Sequence, residues 1–282
     1  ETVFQQLEGD VTYQHDYAVQ VFSNSLNVVS YYENFNVVDY GSSHPADVDV
    51  DGKSMQSSFW YKHEDLASNP NLDNSSLLDN SHGPMVRSNS AYVGVYMGFE
   101  DDLWRHFPYM NVGQTLQTKT YVCVSTGLYV TGYYPTCRGW YDLGKTNPSG
   151  IQYTPPYEDA STGQVMITLA WAVEVGSSLV GVVGSDISLD SLASIVLNAL
   201  VFESGYTYMC DGQKQLIVHP DIDSADTIYS VSDLEFESES TQESSAFDSL
   251  LDDHVLLGET GHSVFIKGGS LWFVTYGPIA GT

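Results

Sequence analysis

The sequence predicts an α+β protein with one long N-terminal helix and two subdomains of unequal size, each built on antiparallel strands. Three observations predict it. Apolar residues recur at near-helical intervals from residue 1 to about 32. Runs rich in β-branched and aromatic residues, bounded by Gly, Pro or Asp, follow from residue 91. A stretch of helical spacing, "LDSLASIVLNALV", then separates those runs from a second, smaller set.

The elements follow in order. Phe4, Leu7, Val11, Val21, Phe22, Leu26, Val29 and Tyr32 mark the helical face of residues 1–32, with Gly9 its sole interruption. Residues 41–90 are polar and turn-rich and read as loops around short elements. "AYVGVYMGF", "TLQTKTYVCVSTGLYVTGYY", "GQVMITLAWAVEV" and "SLVGVVGSDIS" read as strands of one antiparallel sheet. "GYTYMCD", "KQLIVHP", "HSVFIKG" and "LWFVTYG" read as the smaller set, joined through an acidic, partly helical connection, "SDLEFESESTQESSAFDSLLDD". The expected division is 1–32 for the long helix, 33–194 for the larger subdomain and 195–282 for the smaller.

Composition narrows the function. The chain has 282 residues, with 9 Lys plus Arg against 36 Asp plus Glu, a formal net charge of −27. Such a chain cannot neutralise a row of phosphates, so nucleic acid is excluded, and anionic membrane surfaces are disfavoured on the same ground. No stretch reaches the roughly 18 to 20 apolar residues of a membrane helix. The first residue is Glu and the last segment reads as a strand and turn, so a processed or partial chain is expected, from outside the cell. Cys123 and Cys137 are spaced to face each other across a hairpin as a disulfide, which leaves Cys210 over. The sequon "NSS" at Asn74, in a polar loop, is a candidate glycosylation site.

"GYYPTCRGWY", residues 132–141, concentrates three tyrosines, a tryptophan and one of the few arginines. A guanidinium among ring hydroxyls and an indole N–H is suited to hold an anion. The segments "YVGVYMGFEDDLWRHFPY", "YYPTCRGWY", "YTPPYEDASTGQVMITLAWAV", "LVGVVGSDISLDSL" and "YTYMCDGQKQLIVHPD" resemble, in order and spacing, the double Cache domains. These are extracellular sensors with two PAS-like subdomains on a long N-terminal helix. "SSLLDN" is similar to the Cache region of calcium-channel α2δ subunits and their protist relatives. The resemblance implies membership of the amino-acid-binding subset, whose pattern is met by Tyr133, Arg138, Trp140, Tyr141, Tyr157, Asp159 and Asp186. Tyr134 departs from it, standing where relatives often have Asp before the Pro.

Chemistry assigns the ends of the ligand. A planar guanidinium fork suits a carboxylate, so Tyr133, Arg138 and Trp140 are assigned to the carboxylate. Tyr157, Asp159 and Asp186 are assigned to the ammonium, and Tyr141 suits either end. The ligand is then a free α-amino acid or a related small amine. The expected function is an extracellular sensory or regulatory module. The alternative is an assembly subunit of a filament or channel complex on the same scaffold, with self-association or a membrane-anchored partner. No cofactor, metal or catalytic residue is expected. "DVDVDGKS" begins like a calcium loop, but Ser58 stands where the bidentate Glu belongs, so it reads as a turn. The eight histidines include no pair at metal-ligand spacing.

Overall fold

The computed structural model describes residues 3–23, 37–38, 41–42, 57–61, 69–110, 116, 118–198, 205–222, 229–231 and 241–278. The chain divides into two compact units, residues 1–188 and 189–282. The division falls just before the helical stretch that the sequence reading split between subdomains.

In the first unit, α1 (Val3–Ser23) leads into β1 (Val37–Val38), β2 (Gly41–Ser42) and β3 (Ser58–Trp60). Two helices follow, α2 (Leu72–Ser75) and α3 (Asp79–Ser88), then β4 (Tyr92–Phe99), β5 (Trp104–Phe107) and the hairpin β6 (Thr120–Val122) and β7 (Tyr129–Thr131). A 3₁₀ turn, Pro135–Cys137, opens α4 (Gly139–Thr146), and β8 (Gln152–Tyr153), β9 (Tyr157–Glu158), β10 (Val165–Val175) and β11 (Ser178–Ser188) complete the unit. The main sheet runs β1-β2-β3-β5-β4-β11-β10-β8, with β9 also on β10, and every pairing is antiparallel. Among the described residues the β6–β7 hairpin pairs only with itself, so the expectation of one sheet for all these runs is corrected.

The sheet has two faces because successive side chains alternate. Phe59, Met97, Phe99, Val173 and Val183 point to one face and pack with Ala18 of α1. Leu7, Val11, Ala18 and Val21 bury one stripe of that helix, as a helix lying on a sheet requires. His15 stacks on Trp171 with centroids 3.9 Å apart. The opposite face carries Trp60, Tyr96, Trp104, Ala170 and Val182, which pack with Tyr133, Trp140 and Tyr141 around α4. Glycines let rings lie flat on this face. A Cβ at Gly184 would enter the Tyr96 ring, and one at Gly98 would sit 2.7 Å from Pro135 and 2.8 Å from Trp140.

Several expectations change here. Residues 41–90 read as loops, yet α3 spans ten of them, with Pro84 inside it. What fixes that helix is tertiary: Arg105, buried on β5, donates to Asp79 through Nε at 2.8 Å and Nη2 at 2.5 Å. Asn74 lies in α2 and is half-buried, not in a polar loop. The helix over 1–32 is seen to Ser23, and 24–32 lie outside the described residues, as does the "DVDVDG" turn.

The second unit holds α5 (Leu189–Leu197), β12 (Met209–Cys210) paired with β13 (Leu216–Val218), α6 (Thr241–Leu250) with a π turn after it, and β14 (Gly261–Lys267) paired with β15 (Ser270–Tyr276). Leu216, Val231, Phe247 and Leu251 form its core. Cys210 is a free thiol, and burial pushes its pKa up to about 11.

Candidate functional site

The hollow lies on the α4 face of the main sheet, in the first unit. Six of the seven expected residues line it: Tyr133, Arg138, Trp140, Tyr157, Asp159 and Asp186. Tyr96, Trp104, His106 and Ser161 also line it and were not expected.

Arg138 caps the N-terminus of α4 in extended backbone, directly after the 3₁₀ turn. The β6–β7 hairpin holds it there. The Cys123–Cys137 disulfide, as expected, ties the hairpin to that turn with S–S 2.02 Å. The Arg138 Cζ lies 4.8 Å from the Tyr121 ring centroid and 5.9 Å from that of Tyr133. Each such stacking contributes about 0.5–1 kcal/mol and leaves the guanidinium's edge free for an anion. Among the described residues Arg138 has no ion-pair partner, whereas Arg105 is neutralised by Asp79.

Asp186 stands on β11 opposite Thr168 of β10 and Gly94 of β4. Its Oδ1 accepts from Tyr96 Oη at 2.6 Å, Thr168 Oγ1 at 2.6 Å and Tyr157 Oη at 3.4 Å. Among the described residues nothing donates to Oδ2. Burial pushes its pKa up to about 7, against the pull of the Thr168 and Tyr96 hydrogen bonds. Burial likewise raises the hydroxyls of Tyr96, Tyr133 and Tyr157 well above the usual range, so all three stay neutral donors.

Asp159 behaves differently. Burial would raise its pKa, but hydrogen bonds from Ser161 and Thr162 outweigh it and hold the carboxyl below the usual range. Its Oδ2 accepts from Ser161 Oγ, from Ser161 N at 3.1 Å, from Thr162 N at 2.7 Å and from Thr162 Oγ1 at 2.8 Å. Asp159 is thus a permanent anion tied into its own turn. His106 is neutral: burial pushes its pKa down to about 4, and Nδ1 donates to Pro108 O at 2.8 Å. Tyr141 does not line the hollow. It sits next to Trp140 on α4, where adjacent residues point about 100° apart. Its hydroxyl donates to Glu100 Oε1 at 2.7 Å.

The result is a partly closed, ring-walled site with one cation unpaired among the described residues, one fixed anion and one carboxyl poised to ionise. Such a site can hold opposite charges a few ångströms apart in a low-dielectric setting, where charge-assisted bonds are strong. The residues missed by sequence reading had a faint signal. Gly94, Tyr96 and Gly98 alternate on β4, a large ring flanked by positions without side chains. No comparable pattern marks Trp104 or His106.

Known proteins resemble the part of the chain that carries the hollow. Residues 82–194 match the family described as methyl-accepting chemotaxis protein-like, first PDC sensor domain. That stretch holds every residue of the hollow. The methyl-accepting chemotaxis protein PscA of Pseudomonas syringae pv. tomato is 39% identical over 99 residues, 35% of this chain and 15% of that protein. PctB of Pseudomonas aeruginosa, another methyl-accepting chemotaxis protein, is 29% identical over 148 residues, 52% of this chain and 23% of that protein. The matched stretches therefore span less than a quarter of either relative. Among solved structures, the ligand-binding domain of the Pseudomonas fluorescens chemoreceptor CtaA, in complex with L-leucine, covers 76% of this chain and 72% of its own at 22% identity and a TM-score of 0.49. Similarity to the calcium-channel α2δ subunits is not shown by these findings, and neither a glycan nor a filament gains support from them.

Proposed function

We propose that the chain is the ligand-binding part of a sensory module outside the cell, and that its first unit recognises a free α-amino acid or a related small amine. Arg138 takes the carboxylate. Asp186, with the hydroxyls of Tyr157 and Tyr96 around it, takes the ammonium. Asp159 supplies a fixed negative charge that favours the ammonium from a further wall. One observation carries this reading: the unpaired guanidinium of Arg138 and the carboxyl of Asp186 line the same hollow. The match of residues 82–194 to a chemotaxis-receptor sensor domain supports a signalling role. No helix among the described residues is long and apolar enough to cross a membrane. The assembly reading draws no support from these features.

Complementarity is all that this function needs, since binding itself is the signal. Several charge-assisted bonds at about 1.5–3 kcal/mol each are enough for micromolar affinity once ordering costs are met. Isothermal calorimetry against the twenty amino acids tests the proposal, with Arg138→Ala as control. Micromolar binding of at least one, abolished in the variant, is expected. Absence of heat with every amino acid, at protein concentrations that would detect millimolar binding, contradicts it.

A further inference from the structure

Three buried side-chain atoms lack a hydrogen-bond partner among the described residues: Asp73 Oδ1, His82 Nδ1 and Trp104 Nε1. Of these residues only Trp104 lines the hollow. Trp104 is 3% exposed. Its neighbours in sequence chemistry are satisfied: Trp60 Nε1 donates to Tyr133 O at 2.8 Å, and Trp171 Nε1 donates to Pro148 O at 3.0 Å. A buried N–H with no acceptor is costly, and native proteins keep few of them without a reason. An indole N–H is a donor only, so it can be satisfied by nothing but an acceptor atom brought to it.

The position of the ring says which end of a ligand would bring that atom. The Trp104 ring packs against Tyr133 at 4.6 Å between centroids, closer than its 5.7 Å to Tyr96. Tyr133 in turn flanks Arg138. Tyr96 is the ring whose hydroxyl serves Asp186. His106 also packs on the Trp104 ring, at 4.8 Å, so of the two ends the ring that carries the orphan donor lies nearer the side flanked by Arg138 than the side where Tyr96 serves Asp186. A carboxylate has about four lone-pair directions, and a single guanidinium fork uses two.

We infer that Trp104 is a ligand-binding residue whose indole N–H donates to the carboxylate held by Arg138. This rests on the amino-acid reading above and sharpens it. Two donors on one carboxylate make the carboxylate obligatory, so the ligand class is α-amino acids and not amines that lack the acid. The corresponding amide offers a single neutral oxygen and leaves the site's donors poorly matched.

The test uses Trp104→Phe, which keeps an aromatic ring and removes the N–H. Calorimetry compares the best-binding L-amino acid with its carboxamide, and ¹⁵N spectra follow the indole resonances. The resonance missing in the variant is that of Trp104. The variant should bind the amino acid roughly 10- to 100-fold more weakly, the range for a lost bond to a charged group, and should change amide binding by less than about threefold. The wild-type Trp104 resonance should move downfield on saturation with the amino acid, and also with acetate at high concentration. Equal loss for acid and amide, or an indole resonance that neither probe moves, overturns the inference. If no amino acid binds but acetate still moves that resonance, the zwitterion reading fails while the carboxylate donor stands.

Discussion

Changing pH from about 8 to about 5 should weaken ligand binding roughly 100-fold, and Asp186→Asn should abolish that dependence. Burial raises the Asp186 pKa from 3.8 to about 7 in the ligand-free fold. A carboxyl raised in this way contributes stability when protonated, fully so below the unfolded value, and loses it as pH climbs through the folded one. At about 1.36 kcal/mol per pH unit, the buried charge costs the empty protein on the order of 4 kcal/mol above neutrality. An ammonium beside it recovers much of that cost, so the ligand selects the ionised form. At pH about 5 the carboxyl must first release its proton, at about 2.7 kcal/mol, which is the 100-fold. Calorimetry in buffers of differing ionisation heat reads this directly: about one proton released per ligand at pH 5 to 6, and close to none at pH 8. The Asn variant keeps an acceptor for Tyr96 and Thr168, so at pH 8 it should be more stable than the wild type in urea while binding poorly. Affinity that is flat from pH 5 to 8 with no proton release, or an Asn variant less stable at pH 8, would refute the reasoning.

Other outcomes follow from the same arrangement. Arg138→Lys keeps the charge and loses the planar fork; binding should fall about tenfold or more with little change in melting temperature, because among the described residues no ion pair depends on it. Gly184→Ala forces a methyl into the Tyr96 ring and should cost about 1–3 kcal/mol in urea unfolding, with weaker binding because Tyr96 serves Asp186. Replacing both Cys123 and Cys137 by Ser opens a loop of sequence separation 14 and should cost about 3 kcal/mol, read as a lower urea midpoint, and a matching loss in the reduced wild type is expected.

Much of the first unit could be read from pattern alone because its strands are long. "GQVMITLAWAVEV" and "SLVGVVGSDIS" became β10 and β11, and "AYVGVYMGF" became β4. The α3 helix could not be read, because Gly83 and Pro84 break its local preference and its fixing contact comes from Arg105 on another strand. The hairpin "TKTYVCVSTGLYVTG" was legible as strands, but its separation from the main sheet depends on pairing that alternation does not encode. In the site, Arg138 was legible because cations are scarce in this chain, whereas Asp186 entered only through the family resemblance. Tyr141 misled because a motif gives spacing but not rotation about α4. Trp104 was invisible because being without an acceptor is a property of the fold.

A crystal structure with the tightest-binding amino acid gives the most direct answer. Its carboxylate should lie about 2.7–2.9 Å from the guanidinium nitrogens of Arg138, and its ammonium at similar distance from an Asp186 oxygen. A ligand lying elsewhere, or one turned so that its ammonium faces residue 138, would contradict it.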